Sequence, residues 1–391
     1  MNSAVSVSFE LDDVNQAADQ LEKGVREKVD VASNSLGILY CDADVDGAAL
    51  TGALSERFGC GVAGMTTLAA LGPGGMNELS AVFTLLTSDD VKFAAEATSG
   101  LEADTAPAFI GEAYERIDAR IGKPKLLLIF APTGMPFAGD VYPDAIAKVA
   151  PGVPLLGGVA SDDYDFQRAR VFLSGRELRD AAVFAGVTGG VAPRFFLQHV
   201  TSRFAERSLP VTDSDGVTVY KVGDESFIEY LEGFGLRTDV SDAIVAFNSY
   251  PMMLTREGSD ETPLMRHISG LDHDKGAGVF LGNVPEGSIA NICLVNKDDL
   301  VSSCRLSMDK LAESARAGGG ANSLVLCISC CGRSMILGTD SDAEGNIIEE
   351  MLPEGYNLAG AYCLGEFSPS LYKDGAASNR FHNCSIALCT L

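Results

Sequence analysis

A chain of 391 residues, 46% of them hydrophobic, is long enough for roughly two to three domains and for a sizeable buried core, which excludes disorder. A formal charge of −25 makes it self-repelling and excludes binding to nucleic acid or anionic membrane through a broad basic face. The ten cysteines are scattered through apolar runs, as small hydrophobes kept reduced; there is no tryptophan, and 7% aromatics leave no stacking surface for single-stranded bases. No run of about eighteen apolar residues reads as a membrane span, and MNSAVSVSFELDD reads as no secretory leader, so a cytoplasmic protein is expected.

After a short polar entry, Ala17, Ala18, Leu21 and Val25 stand at helical spacing and predict a helix over 14–28. SLGILYC (35–41) reads as a buried strand that ends in Asp42, Asp44, Asp46 and Gly47. DxDxDG opens a calcium loop, but the twelfth position is Ala53 where a bidentate Glu is needed, and a strand precedes it. The expected structure is a strand-to-helix turn with acidic residues at the helix N-terminus. A helix over 47–58, a strand over 60–65, a loop TTLAALGPGG and a strand over 79–88 follow. Next come a helix over 106–121 stopped by Gly122 and Pro124, a continuously apolar strand LLLIFA (126–131), a helix over 142–149 and a strand over 154–157. Apolar strands alternating with helices predict βαβ units with a parallel sheet.

GGVASDD (157–163) lies at the carboxyl end of that last strand, where open α/β sheets bind ligands, and makes Ser161 and Asp162 candidate contacts. It is neither a Walker A nor a GxGxxG loop; its glycines let the backbone approach either a ligand or a neighbouring strand. Strands are expected over 171–174 and 181–187, around the polar turn GRELRD. Near 210–216 the composition turns polar, which places a boundary there: an extension over 1–34, one domain over 35–210 and another over 211–391. Beyond it, the pattern predicts a strand over 217–222, a helix over 225–232 capped by Gly233, a strand over 243–249 and antiparallel hairpins over 264–293. A helix over 298–316 ends in GGG (318–320), and LVLCISCCGR, LAGAYCLGEF and FHNCSIALCTL (324–333, 358–367 and 381–391) read as single strands. No fixed-period repeat is visible. The fold class is α/β, two domains with mixed, largely buried β-sheets flanked by helices.

VAGMTTL, LLLIFAPTG and PLLGGVASD in the first half resemble the FIST family, as do VYKVGDESFIEYL, VFLGNVPEGS, LVLCISCCGR, YCLGEFSP and NRFHNCSIAL in the second. The likeness runs from about residue 35 to residue 391 and lies in the order and spacing of the pieces. LAALGPGG after VAGMTT, and the cysteine-rich CISCC, depart from the family's pattern. The resemblance implies an N-terminal and a C-terminal FIST domain. It implies an intracellular sensor of a small molecule, an amino acid or similar metabolite, that signals through partners such as a histidine kinase. Some bacterial members bind haem and report nitric oxide to such kinases.

Candidate residues concentrate near the C-terminus. Read as one strand, CISCC turns Cys327, Ser329 and Cys331 to one face and Cys330 to the other, and no second ligand pair at knuckle spacing suggests a metal. The cysteines are expected in the core, with Cys331 the one that faces a ligand. Arg333 and Glu366, if buried, should pair, since removing one partner of a buried pair costs about 3–5 kcal/mol. Alternatively they frame a pocket in which the Arg333 fork holds a carboxylate and Glu366 an amine. His382 and Asn383, on opposite faces of a strand, offer a third contact. As a haem ligand His382 competes with His199, His267 and His273, the last two expected to be exposed, and no Cys-x-x-Cys-His attachment motif is present. A cysteine hydrolase would pair Cys331 with His382, oriented by Glu366. The expected protein is a standalone binding module rather than an enzyme, its output passing to another protein.

Overall fold

A computed structural model describes residues 1–256, 258, 259, 261–318, 324–371 and 377–391. The chain is α/β with several mixed sheets flanked by helices. Three six-stranded sheets share one plan: a central parallel pair, two antiparallel strands on one side and an antiparallel hairpin on the other. The parallel pairs are Asn34–Cys41 with Gly61–Thr66, Leu126–Ala131 with Leu155–Val159, and Leu324–Cys330 with Asn357–Cys363. In each, the antiparallel side adds an inner and an outer strand: Ala81–Ser88 with Asn2–Ser8, Val183–Thr188 with Lys92–Ala97, and Ser385–Thr390 with Arg194–His199.

The hairpins are exchanged around a ring. Ala70–Gly72 and Gly75–Asn77, which follow the first sheet's pair, complete the third sheet. Val171–Leu173 and Arg176–Leu178, which follow the second pair, complete the first. Glu366–Leu371 and Ala377–His382, which follow the third pair, complete the second. The three inner faces meet in one core, where Ile38, Met65, Leu128, Val183, Leu326 and Ala387 are buried together. Burying both faces of the strands is what their continuous apolar runs require. Helices cover the outer faces, among them Val14–Arg26 and Gly47–Phe58 on the first sheet, Ala106–Ile121 and Val141–Val149 on the second, and Lys297–Gly318 and Ala343–Met351 on the third. A fourth sheet, residues 209–292, is inserted in the third unit and carries the expected hairpins.

Local chemistry sets several junctions. Asp46 accepts a hydrogen bond from the Ala49 amide (2.9 Å) and so caps Gly47–Phe58, the strand-to-helix turn expected of DADVDG. Gly157 and Gly158 serve neighbouring strands, since a Cβ would lie 1.9 Å from the Ile129 carbonyl oxygen at the first and 2.5 Å from Cys363 Sγ at the second.

Other expectations are corrected. The polar entry holds the strand Asn2–Ser8, paired with Ala81–Ser88, and the loop after Thr66 folds as the hairpin already described. Lys92–Ala97 and Arg176–Leu178 are strands where none was expected. The strand expected over 243–249 is the short helix Ala243–Ala246, because Asp242 accepts from the Val245 amide and starts a turn. The helix expected to end at GGG runs Lys297–Gly318; Gly319 and Gly320 lie outside the described residues. Each of the three C-terminal runs changes direction. The first is the strand Leu324–Cys330 followed by the helix Cys331–Leu337. The second divides into Asn357–Cys363 and Glu366–Leu371, and the third into Ala377–His382 and Ser385–Thr390, with Asn383 and Cys384 in the turn.

Candidate functional site

The carboxyl ends of two parallel pairs converge on a cavity of about 490 Å³. One wall is the loop 132–139 that leaves Leu126–Ala131; Val159, Tyr164 and Phe166 add the segment after Leu155–Val159. The opposite wall is Cys330, Cys331, Gly332 and Met335, at the point where the strand Leu324–Cys330 becomes a helix. Val217, Ile244, Asn248, His267, Phe280 and Leu281 of the inserted sheet region form the roof. Ligands in open α/β sheets bind at this end of the strands.

Roof and wall are joined by polar contacts. Asn248 Nδ2 donates to the Gly332 carbonyl (2.9 Å), and the Tyr164 hydroxyl donates to the Cys331 carbonyl (3.2 Å). Glycine at position 332 lets the roof side chains close in, because a Cβ would come within 2.6 Å of His267 Nε2 and 2.8 Å of Asn248 Oδ1. The Phe381 ring closes the floor over Gly139 and Gly365, with 2.7 Å and 2.3 Å to a Cβ built on each. Tyr164 (φ +72°), Phe166 (φ +61°) and Cys384 (φ +56°) hold left-handed backbone, uncommon for residues with side chains and found where structure over-determines it. Asp162 fixes the first two by accepting from the Phe166 amide (3.1 Å) and the Arg168 amide (2.9 Å).

His267 is buried, and burial pushes its imidazole down to about 4, so it is neutral at pH 7. Its Nε2 lies 2.7 Å from Cys384 Sγ, and its Nδ1 has no partner among the described residues. Burial holds the Cys384 thiol well above its ordinary range and pushes Cys331 up to about 12, so both remain protonated. A thiol raised in this way is a weaker nucleophile than a thiolate.

The candidates from the sequence divide around this cavity. Cys331 lines it, from a helix rather than the strand face expected. Asn383 borders it, its Oδ1 accepting from the His267 amide at 3.4 Å. Ser161 lies behind the wall, donating to the Tyr362 carbonyl (2.6 Å) and accepting from the Leu68 amide (3.0 Å). The expected Arg333–Glu366 pair is not formed. Arg333 pairs with Glu344, at 2.5 Å from Nη2 and 2.9 Å from Nε, and also donates to Ser303 Oγ. Its fork is therefore engaged inside the protein.

Glu366 accepts from the Ser385 amide (3.2 Å) and hydroxyl (2.6 Å) through Oε2; Oε1 has no partner among the described residues, and burial pushes the carboxyl up to about 8. His382 ends a strand rather than beginning one; its Nε2 lies 3.1 Å from the Ser368 carbonyl, and its ring sits 5.2 Å from that of His199. The Cys331–His382 dyad that a cysteine hydrolase would need is not formed; the thiol–imidazole contact present is that of Cys384 with His267. His267 is buried, contrary to expectation, because it lies just before the strand Ile268–Asp272, against Asn383 and Cys384; His273 is exposed.

Haem does not fit these residues. Among the described residues no Arg or Lys lines the cavity to hold its propionates, His267 Nε2 faces Cys384, and His199 and His382 lie in the packed interior. Asp162, Asp163 and Asp165 cluster beside the cavity, but Arg168 pairs with Asp163 (2.7 Å) and with Asp44. Asn248 and Tyr164 were not picked out from the sequence as site residues, and His267 was named there only as a competing haem ligand expected to be exposed. The one signal for His267 is a polar Arg–His step inside an otherwise apolar stretch, LMRHISGL.

Models of two protein families match nearly the whole chain: the FIST N domain over residues 35–225 and the FIST C domain over residues 227–369. No curated protein matches it. Among solved structures, a chorismatase is similar over 100% of both chains at 10% identity and a TM-score of 0.35. A cyanuric acid hydrolase from A. caulinodans is similar over 99% of each chain at 10% identity and a TM-score of 0.34. Both likenesses are too distant to carry an argument.

Proposed function

This chain belongs to the FIST family, whose domains sense small ligands in signal transduction, and we propose that the 490 Å³ cavity is where this member binds its ligand. The observation that carries the reading is the cavity's construction. Its walls come from two α/β units and its roof from the inserted sheet, so an occupant would touch all three. Its volume falls within the ~300–1,000 Å³ typical of small-molecule sites. A ligand that prefers one relative placement of these parts shifts the population toward it, which is what a sensor requires. The output would pass to a partner protein, of which a histidine kinase is the class that the family resemblance implies. No described helix is long and apolar enough to cross a membrane.

The catalytic alternative, a cysteine hydrolase, has less support, because the thiols at the cavity are held protonated and the neighbouring imidazole is neutral. Native mass spectrometry of the purified protein, beside the cavity-filling variant Met335→Trp, tests the reading. Small-molecule adducts on the parent that are lost from the variant are expected; adducts of equal occupancy on both would refute it.

A further inference from the structure

The cavity wall carries no net charge. Among the described residues, no Asp, Glu, Lys or Arg lines it; the lining is mostly apolar, with Met135, Phe137, Val159, Phe280, Met335 and Phe381 prominent. Of the ionic groups just behind the wall, the Asp162 carboxylate is taken up by the Phe166 and Arg168 amides, and the two arginines are paired. Arg266, which holds the Phe381 carbonyl (2.9 Å), pairs with Asp140 at 2.7 Å, and Arg333 pairs with Glu344. Burial raises the Glu366 carboxyl, behind the Cys330 side, to about 8, which favours its neutral form, and His267 is neutral.

We infer that the cavity takes an uncharged, largely apolar small molecule with one hydrogen-bonding head, and rejects free amino acids and other ions. The inference rests on the reading of the cavity as the ligand site. A zwitterion entering it would lose the hydration of an ammonium and a carboxylate and find a counter-charge for neither. An aromatic or aliphatic body gains by leaving water for this lining. Asn248 sets the place of the head: its Nδ2 is engaged by the Gly332 carbonyl, which leaves Oδ1 to accept from a hydroxyl or ring N–H. The expected class is therefore phenols, indoles and similar neutral ring compounds.

Matched pairs that share a ring and differ in the head isolate the effect of charge: indole with L-tryptophan, and p-cresol with L-tyrosine. The measurement is the melting temperature of the full chain against the concentration of each compound, in the parent protein and in Met335→Trp, with Leu364→Phe as a second cavity-filling variant. The inference expects indole and p-cresol to raise the melting temperature progressively, the two amino acids to leave it unchanged, and either filling variant to abolish the rise. Amino acids that stabilise as well as their neutral partners, through a site that the filling variants block, would overturn the ligand class and leave the cavity as the site. Stabilisation that survives both filling variants would overturn the site itself. No response to either neutral compound would overturn the class.

Discussion

Arg333 and Glu344 form a fully buried ion pair, with Arg333 Nη2 and Nε at 2.5 Å and 2.9 Å from Glu344 Oε1. The second carboxylate oxygen accepts from Ser329 Oγ (3.0 Å) and Tyr362 Oη (3.2 Å), so the helices Cys331–Leu337 and Ala343–Met351 are tied to both parallel strands of the third sheet. Glu344→Ala leaves the guanidinium buried without its counter-charge and is expected to cost about 3–5 kcal/mol. A denaturant titration reads this as a lower midpoint. The double variant Arg333→Met with Glu344→Leu should recover most of the loss; recovery no better than the single variant would show that the pair adds stability beyond its own desolvation.

Glu366 gives stability an alkaline limb. Its carboxyl ionises near 4.5 when unfolded and near 8 when folded, so the folded state binds more protons between those values and stability falls as pH rises through them. Glu366→Gln removes that slope. Melting temperatures from pH 5 to pH 9 should decline less steeply in the variant, while its response to indole is unchanged.

The neighbouring imidazoles of His199 and His382, 5.2 Å apart and tilted to each other, act at the other end of the scale. Burial pushes His199 down to about 3 and holds His382 well below its usual 6.5. The unfolded chain therefore binds more protons below pH 6.5, and stability falls as pH drops from there toward 3. His199→Leu should flatten that acid limb between pH 7 and pH 4; an unchanged limb would assign acid sensitivity to the carboxylates.

Gly332→Ala places a methyl group 2.6 Å from His267 Nε2 and 2.8 Å from Asn248 Oδ1. One of the two must move, at about 1–3 kcal/mol of overpacking. Calorimetry with indole should show binding weakened at least tenfold while circular dichroism remains that of the parent. Full affinity would place the ligand away from the Gly332 wall.

Among the ten cysteines only Cys60 is partly exposed. Native protein treated with a thiol reagent should be modified at Cys60 first, as peptide mapping would show, with Cys331 and Cys384 modified only as the chain opens. Fast labelling of Cys331 would mean that the cavity admits the reagent readily.

Elements whose apolar residues follow a single period were legible in the sequence. Gly47–Phe58, Ala106–Ile121 and Leu126–Ala131 stand where their spacing puts them. Turns hidden inside apolar runs were not. Cys384 takes the left-handed conformation that glycine usually marks, so the reversal at Asn383 and Cys384 left no trace in composition. Glu344, in the helix AEGNIIEEM, looks like any solvated acid until the fold brings Arg333 to it. The three-fold plan repeats backbone geometry and strand order, and sequence periodicity could not reveal it. At the site, Cys331 was within reach of the sequence, whereas His267 and Asn248 come from the inserted sheet, whose placement over the strand ends is a long-range fact.

The exchanged hairpins bear on how the protein is made. When a ribosome has released the second sheet's parallel pair, the free edge at Leu155–Val159 has no partner, because the strand that covers it, Glu366–Leu371, is still some two hundred residues from being translated. Contacts this remote in sequence form slowly. Until synthesis is nearly complete, an apolar strand edge stays open to stray pairing, which makes the nascent chain a natural client for a chaperone.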